Sequence, residues 1–324
     1  MNREPIQRAS YFWLGTGGHF ALEDYHGYNY YEHPVKAFRA YVIACKRARK
    51  ELPDDWQEQA ELGEAVLDYY LTWLENRDAL KTYWVDGKPQ VEVRARIPLP
   101  ISGPNGEEIY YDITIDRVVN IEGELWIQDY KFYKQFWPMN LDFDEQMTAY
   151  LWGAHVLYDL PVIGALHTQF KKAVPEPPKI LTSGKISTAK NQNTTHRLYR
   201  EALIQQYGTV DRAPTEHINT LNHFAHLEGE ERDNYIKRER TERSQAQLEA
   251  SGDRILMEVR EMLDPNLPIY PNFTKDCSWD CPFNDVCLMI ERDDDWENYL
   301  MDISEDKTEE RDSWRNYLPT LEEV

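Results

Sequence analysis

The stretch from residue 91 to residue 132 constrains the fold most. It reads VEVRARIPLP, ISGPNGEE, IYYDITIDRVV, NIEG and ELWIQDYKF in succession. The first, third and fifth pieces alternate with a period of two, which predicts strands over 91–100, 109–119 and 124–132. The pieces between them are turn clusters, so consecutive strands are expected to lie side by side. An amphipathic helix over 142–158 and a fourth strand over 161–172 follow. The period is helical over 16–28, 34–50 and 55–82, with PDD as the break and Asp54 or Asp55 as N-cap. Helices are also expected over 194–207 and 213–225, and a long polar one over 228–263. The pattern is an α+β (α/β) chain with helical blocks around a sheet.

Charged residues interrupt these strands at particular places. Asp116 lies near the end of the second strand, and Asp129 and Lys131 lie two apart on the third. Side chains alternate along a strand, so Asp129 and Lys131 share a face and Tyr130 points away. The tight turn at 120–123 makes the two strands neighbours, and Asp116 then approaches Asp129. Two carboxylates held together call for a cation, and a hard ion such as Mg²⁺ or Mn²⁺ favours oxygen ligands. An adjacent lysine orients or deprotonates a water, or neutralises charge on a phosphate. This combination suits phosphodiester hydrolysis.

These residues resemble the PD-(D/E)XK nuclease superfamily, in the branch of RecB, AddB, the CRISPR adaptation nucleases and phage exonucleases. GTGGHFALE (15–23) looks like the branch's histidine motif, with a glutamate four residues after the histidine. QMTAY (146–150) looks like its Q-x-x-x-Y motif. The resemblance implies a restriction-endonuclease-like core with a mixed β-sheet. It implies His19, Asp116, Asp129 and the Tyr130 carbonyl as metal ligands, Lys131 as catalytic lysine, and Gln146 and Tyr150 as DNA contacts. Glu92, at the start of the first strand, is a further candidate for positioning metal or substrate. The activity implied is a Mg²⁺- or Mn²⁺-dependent deoxyribonuclease, an exonuclease of recombination, repair or genome processing. Its partner would be DNA, single-stranded or as duplex ends, with a recombination or replication protein and an oligomer as further possibilities. The rivals from other classes are a non-catalytic DNA-binding adaptor on the same scaffold and a redox sensor.

DCSWDCPFNDVC (276–287) carries Cys277, Cys281 and Cys287, and Cys45 is the chain's fourth cysteine. The spacing is not that of a zinc ribbon, which favours C-x2-C pairs. It resembles the C-terminal triplet of nucleases that hold a [4Fe–4S] cluster with one distant cysteine plus three close together. Trp279, Pro282 and Phe283 would shield such a cluster from water. In those relatives the lone cysteine precedes the histidine motif, whereas Cys45 follows His19. A site completed by another residue, and zinc, therefore stay open.

The formal net charge of −21 is uneven. Residues 291–324 hold thirteen acids and four bases, while 165–204 hold seven bases and two acids. Lys171, Lys172, Lys185 and Lys190 belong to the basic stretch, which is expected to contact phosphates as a flexible arm or to be a solvated loop. One nuclease domain is expected over 1–290: a helical part (1–88), the catalytic core (89–172), a second helical part (173–272) and the cysteine segment (273–290). An acidic tail (291–324) would follow. No apolar run approaches the ~18 residues of a membrane span. The first residues lack the apolar core of a signal peptide, and four cysteines do not suggest a disulfide framework, so the expected compartment is the cytoplasm.

Overall fold

The computed structural model describes residues 3–5, 10–48, 52–75, 77, 80–136, 140–158, 161–229, 231–267, 273–274, 277, 281–306 and 313–324. A short strand, β1 (Arg3–Pro5), precedes three helices: α1 (Ser10–His26), α2 (Pro34–Arg47) and α3 (Trp56–Leu74). His33 caps α2, its ring nitrogen accepting from the Val35 N–H at 3.2 Å. Pro34 takes the first helical position, where no N–H is needed. α1 starts earlier than its sequence pattern implies and runs through Gly15, Gly17 and Gly18. Glycine costs a helix interior about 1 kcal/mol relative to alanine. Close packing offsets that cost here. A methyl on Gly17 would meet the Phe38 and Tyr41 rings at 2.6 Å, and one on Gly18 would lie 2.4 Å from the Phe132 ring.

The helix expected to reach residue 82 stops at Leu74, because Lys81–Thr82 forms a strand, β2, against Val119–Asn120. A small hairpin, β3 (Trp84–Val85) and β4 (Lys88–Pro89), follows. Then come β5 (Val91–Ser102), β6 (Glu108–Ile121), β7 (Glu124–Tyr133), α4 (Glu145–Leu157) and β8 (Val162–Lys171). The main sheet runs β2-β6-β7-β8, continues to a further strand beyond β8, and has β5 also on β6. β7 and β8 are parallel, joined through α4, and the other pairs are antiparallel. Ile113, Ile115, Leu125 and Ile127 pack with Met147 and Leu151 of α4. Tyr130 and Phe170 pack with Phe38, Tyr70 and Trp73 of the opening helices. The protein is therefore α+β, with a mixed sheet between helical layers.

After β8 come α5 (His196–Tyr207), α6 (Thr215–Leu227), β9 (Ile236–Glu242) and α7 (Gln245–Met262). β9 corrects the expected long helix over 228–263: it is the edge strand on β8. Its sequence, IKRERTE, is polar after Ile236, yet Arg238 and Thr241 are buried as Ile236 is. The Arg238 guanidinium stands 5.0 Å from the Trp73 ring centre and pairs with Glu231 at 3.1 Å. A buried, paired arginine thus fills an inward position and hides the strand's alternation. α7 begins only after Ser244, which forms a capping box with Gln247.

The basic loop before α5 is hydrogen-bonded back onto the fold. Glu176 N–H donates to the Asn193 carbonyl at 2.7 Å, and the Tyr235 hydroxyl donates to the Asn193 side chain at 2.7 Å. Ile186 from this loop packs with Tyr199, Leu203 and Phe224 in a lobe built on α5 and α6. The chain continues through α8 (Asn284–Glu291), α9 (Trp296–Ile303) and β10 (Ser304–Asp306), which pairs antiparallel with β1. Residues 313–324 return to the opening helices, with Trp314 buried among them. No described helix is long and apolar enough to cross a membrane.

Candidate active site

β6, β7 and β8 carry the two carboxylates and one histidine of the site. Arg117 pairs with Gln128 across β6 and β7. The ladder ends at that pair, and Asp116 and Asp129 are the next residues on the two strands. The Tyr130 N–H donates to Asp116 Oδ2 at 2.8 Å, so the backbone of β7 holds one carboxylate. Lys131 Nζ donates to Asp129 Oδ1 at 2.7 Å. Tyr130 and Phe132, between and beyond them, face the opening helices instead. Alternation along β7 thus separates the polar site from the core.

His19 joins from α1, its Nδ1 lying 3.2 Å from Asp116 Oδ1. Phe132 packs where Gly18 has no side chain, so the glycine admits the helix and its neighbour His19 to the strand. Burial lowers the His19 imidazole, but the charge and hydrogen bond of Asp116 outweigh it and hold the ring above its ordinary value. Burial likewise works against charge on Lys131, and Asp129 and Asp116 override it, so its ammonium is held firmly protonated. Burial would raise Asp129. The hydrogen bond from His167 and the charge of Lys131 prevail, and its carboxyl sits below the usual range.

His167 escaped the sequence reading. It lies on β8 directly across from Asp129, is fully buried, and its Nδ1 is 2.9 Å from Asp129 Oδ2. A carboxylate accepts, so Nδ1 carries the proton and donates. The signal was a histidine inside the apolar run VIGALHTQF, whose meaning depends on the parallel β7–β8 register.

Glu92 comes near the same acids. Its backbone is in the left-handed region at φ 46°, rare for a residue with a side chain. Burial first, then the charges of Glu23 and Asp116, raise its carboxyl above the ordinary value, and Arg94 lies 3.2 Å away. Glu23 is the glutamate that follows His19 by one turn. From α4, Gln146 donates to the Tyr150 hydroxyl at 3.0 Å. Burial raises the Tyr150 hydroxyl, and Lys131, Asp129 and Asp116 all act on it, so this pair lines the same site.

The lysines divide. Lys171 and Lys172 close β8, beside the end of β7, where Lys172 N–H donates to the Tyr133 carbonyl at 2.6 Å. Burial and the charge of Lys134 depress Lys172 to about 8. Lys185 and Lys190 are exposed on the loop that serves the α5–α6 lobe, and the charge of Lys185 is felt by His217 there. The structure sets the first two at the end of β8, with Lys171 Nζ 5.2 Å from the Tyr235 ring centre, and the other two on the loop that packs on that lobe.

The donor set suits a hard divalent cation: two carboxylates, an imidazole and a strand carbonyl. Among the described residues no three His, Cys, Asp or Glu side chains are already gathered for a metal. Asp116 and Asp129 are instead paired with His19, the Tyr130 N–H, Lys131 and His167. An entering ion would exchange the His19–Asp116 contact for ligand bonds.

The cysteines are only partly assembled. None of the four is in a disulfide. Burial raises the Cys287 thiol, and the charges of Cys281 and Cys277 raise it further. Cys45 is buried within α2 in the helical core and is not among the groups acting on Cys287. Pro282 and Phe283 immediately precede α8. Trp279 lies outside the described residues. The thiols suit a soft metal or a cluster, but no three of them are gathered for a metal among the described residues.

No curated protein matches the chain. Residues 2–288 match the family model of the PD-(D/E)XK nuclease superfamily. With its sheet, its flanking helices and most of its length accounted for in this way, the chain belongs to the PD-(D/E)XK nuclease superfamily.

Proposed function

We propose that this protein is a metal-dependent DNA nuclease, an exonuclease similar to RecB and the CRISPR adaptation nucleases. One observation carries the reading: Asp116 and Asp129 stand on adjacent strands, His19 is 3.2 Å from the first, and Lys131 is 2.7 Å from the second. His19, Asp116, Asp129 and the Tyr130 carbonyl would hold Mg²⁺ or Mn²⁺. When bound, such an ion polarises a phosphoryl oxygen and acidifies the attacking water. Lys131 keeps an ammonium beside both carboxylates, placed to neutralise charge on the scissile phosphate. His167 fixes the Asp129 carboxylate from behind. Gln146 and Tyr150 line the approach of the DNA strand, with Lys171 and Lys172 at the strand ends for the neighbouring phosphates. Lys185 and Lys190 would meet DNA only if it also crosses the α5–α6 lobe.

The test is cleavage of end-labelled single-stranded and duplex DNA with Mg²⁺, Mn²⁺ or EDTA. Cleavage is expected with either metal and absent with EDTA. Asp116→Asn and Lys131→Ala each should lower kcat by about 10²–10³, the range for losing one preorganised electrostatic group. Full activity in both variants would overturn the site. Mononucleotide products released from an end would establish the exonuclease reading, and internal fragments would replace it.

For the cysteines we propose a structural [4Fe–4S] cluster, with zinc as the alternative. Cys277, Cys281 and Cys287 are its proposed ligands on their spacing in the sequence, with Cys45 as the fourth. Anaerobic purification with iron, sulfide and zinc analysis and a visible spectrum separates the two. Cys281→Ser should lose the bound metal. Retention of the full metal content by Cys45→Ser would remove Cys45 from the ligand set.

A further inference from the structure

The C-terminal residues carry a cation toward the back of the candidate site. Trp314 is buried edge-on against Phe20 and Tyr41, with ring centres 5.1 and 4.8 Å apart. The Tyr31 hydroxyl donates to the Pro319 carbonyl at 2.8 Å, and Arg47 pairs with Glu323 at 2.6 Å. These contacts fix residues 313–324 as a strap across α1 and α2. Arg315 lies within it, its guanidinium 5.3 Å from the Phe20 ring centre and 5.0 Å from that of Trp314. It forks onto the Glu23 carboxylate, with contacts of 3.2 and 2.7 Å.

Glu23 sits one helical turn beyond His19, where residues four apart share a face. Its charge acts on Glu92, on which Asp116 also acts. Glu23 is thus a further acid on the side of the site where Glu92 and Asp116 lie. A lone exposed ion pair contributes little. This pair is bidentate, both partners are less than one-third exposed, and two rings flank the guanidinium. Those are the conditions under which a pair fixes geometry.

We propose that Arg315 is a positioning residue for the metal site. By pairing with Glu23 it offsets the extra acid and sets α1 so that His19 meets Asp116. The inference rests on the metal-dependent reading above. The direction of the effect separates positioning from simple charge. Arg315 is a cation near a cation site, so its charge alone would weaken metal binding, and its loss would tighten it. Positioning requires the opposite.

The experiment is calorimetric titration of the full chain with Mn²⁺ in the absence of DNA, with a circular-dichroism melt of each variant. Arg315→Gln should bind Mn²⁺ about 10-fold more weakly, as for lost outer-shell partners of metal ligands. Arg315→Lys, which keeps the charge without the fork, should recover part of the affinity. In the Glu23→Gln background, Arg315→Gln should add no further loss, because the charge it pairs with is gone. Binding by Arg315→Gln equal to or tighter than that of the unmutated chain overturns the inference, as does additivity of the two changes. If Arg315→Gln does not fold, Arg315→Lys decides. An intact melt with weaker Mn²⁺ binding supports positioning, and unchanged binding refutes it. An unmutated chain that binds no Mn²⁺ would instead remove the metal-site reading itself.

Discussion

His167 donates from a fully buried ring to Asp129 across two parallel strands, at 2.9 Å. The contact leaves the Asp129 carboxylate held on both sides, by His167 and by Lys131. Replacing His167 with alanine should free that carboxylate to rotate. Activity and Mn²⁺ affinity should each fall about 10- to 100-fold, the usual cost of losing a partner that orients a metal ligand. His167→Asn, which keeps a donor, should lose less. Steady-state cleavage and Mn²⁺ titration of both variants check this.

Gly18 lets α1 lie against the Phe132 ring. A methyl 2.4 Å from that ring forces either the helix or the strand to move. Gly18→Ala should destabilise the fold by about 1–3 kcal/mol, the cost of overpacking a close contact. Adding Phe132→Leu should return part of that stability. Urea unfolding of the single and double variants measures it, and equal stability of Gly18→Ala and the unmutated chain would contradict the packing account.

His217 is buried between two tyrosines, with Tyr199 at 2.8 Å and Tyr207 at 3.2 Å. Burial lowers its imidazole from the ordinary value of 6.5. Above about pH 6.5 the ring is neutral in both folded and unfolded chains, and its environment is fully favourable. As pH falls through 6.5 the unfolded chain takes up the proton first, so stability is lost. Thermal melts at pH 7.5 and 5.5 should show a decline that is smaller in His217→Gln. An equal decline in both would assign it to other groups.

Tyr150 accepts from Gln146 on the face of α4 that meets the site. If the pair contacts the DNA strand, Tyr150→Phe should raise KM more than it lowers kcat, because the ring remains and only the hydroxyl is lost. Gln146→Ala should behave in the same direction. A kcat effect alone would place Tyr150 in the chemistry instead of in strand binding.

Where an element was legible in the sequence, one local pattern dominated. The three meandering strands could be read because apolar alternation and turn residues agreed. Asp116, Asp129 and Lys131 stood out because they break that alternation. β9 was opaque for the converse reason: its inward Arg238 is satisfied by Glu231, across a turn, and by the Trp73 ring, which is far from it in sequence. The early start of α1 was hidden by a run of helix-weakening glycines, two of which, Gly17 and Gly18, are used for close packing on Phe38, Tyr41 and Phe132. His167 and Arg315 were invisible as site residues. Each acquires its role from a partner far away in the chain, Asp129 in one case and Glu23 in the other.

The pairing of β1 with β10 and the seating of Trp314 on Phe20 and Tyr41 tie the two ends of the described chain to one helical layer. During synthesis, that layer cannot be closed until residue 314 has cleared the ribosome. Until then Phe20 and Tyr41 lack their aromatic cover, and Tyr31 lacks the acceptor it finds at Pro319. A chain broken off before this point therefore carries a sticky aromatic surface into the cell. Exposed surface of that kind favours aggregation and engages chaperones. Synthesis of residues 313–324 is in this way also a folding checkpoint for the helical layer they cover.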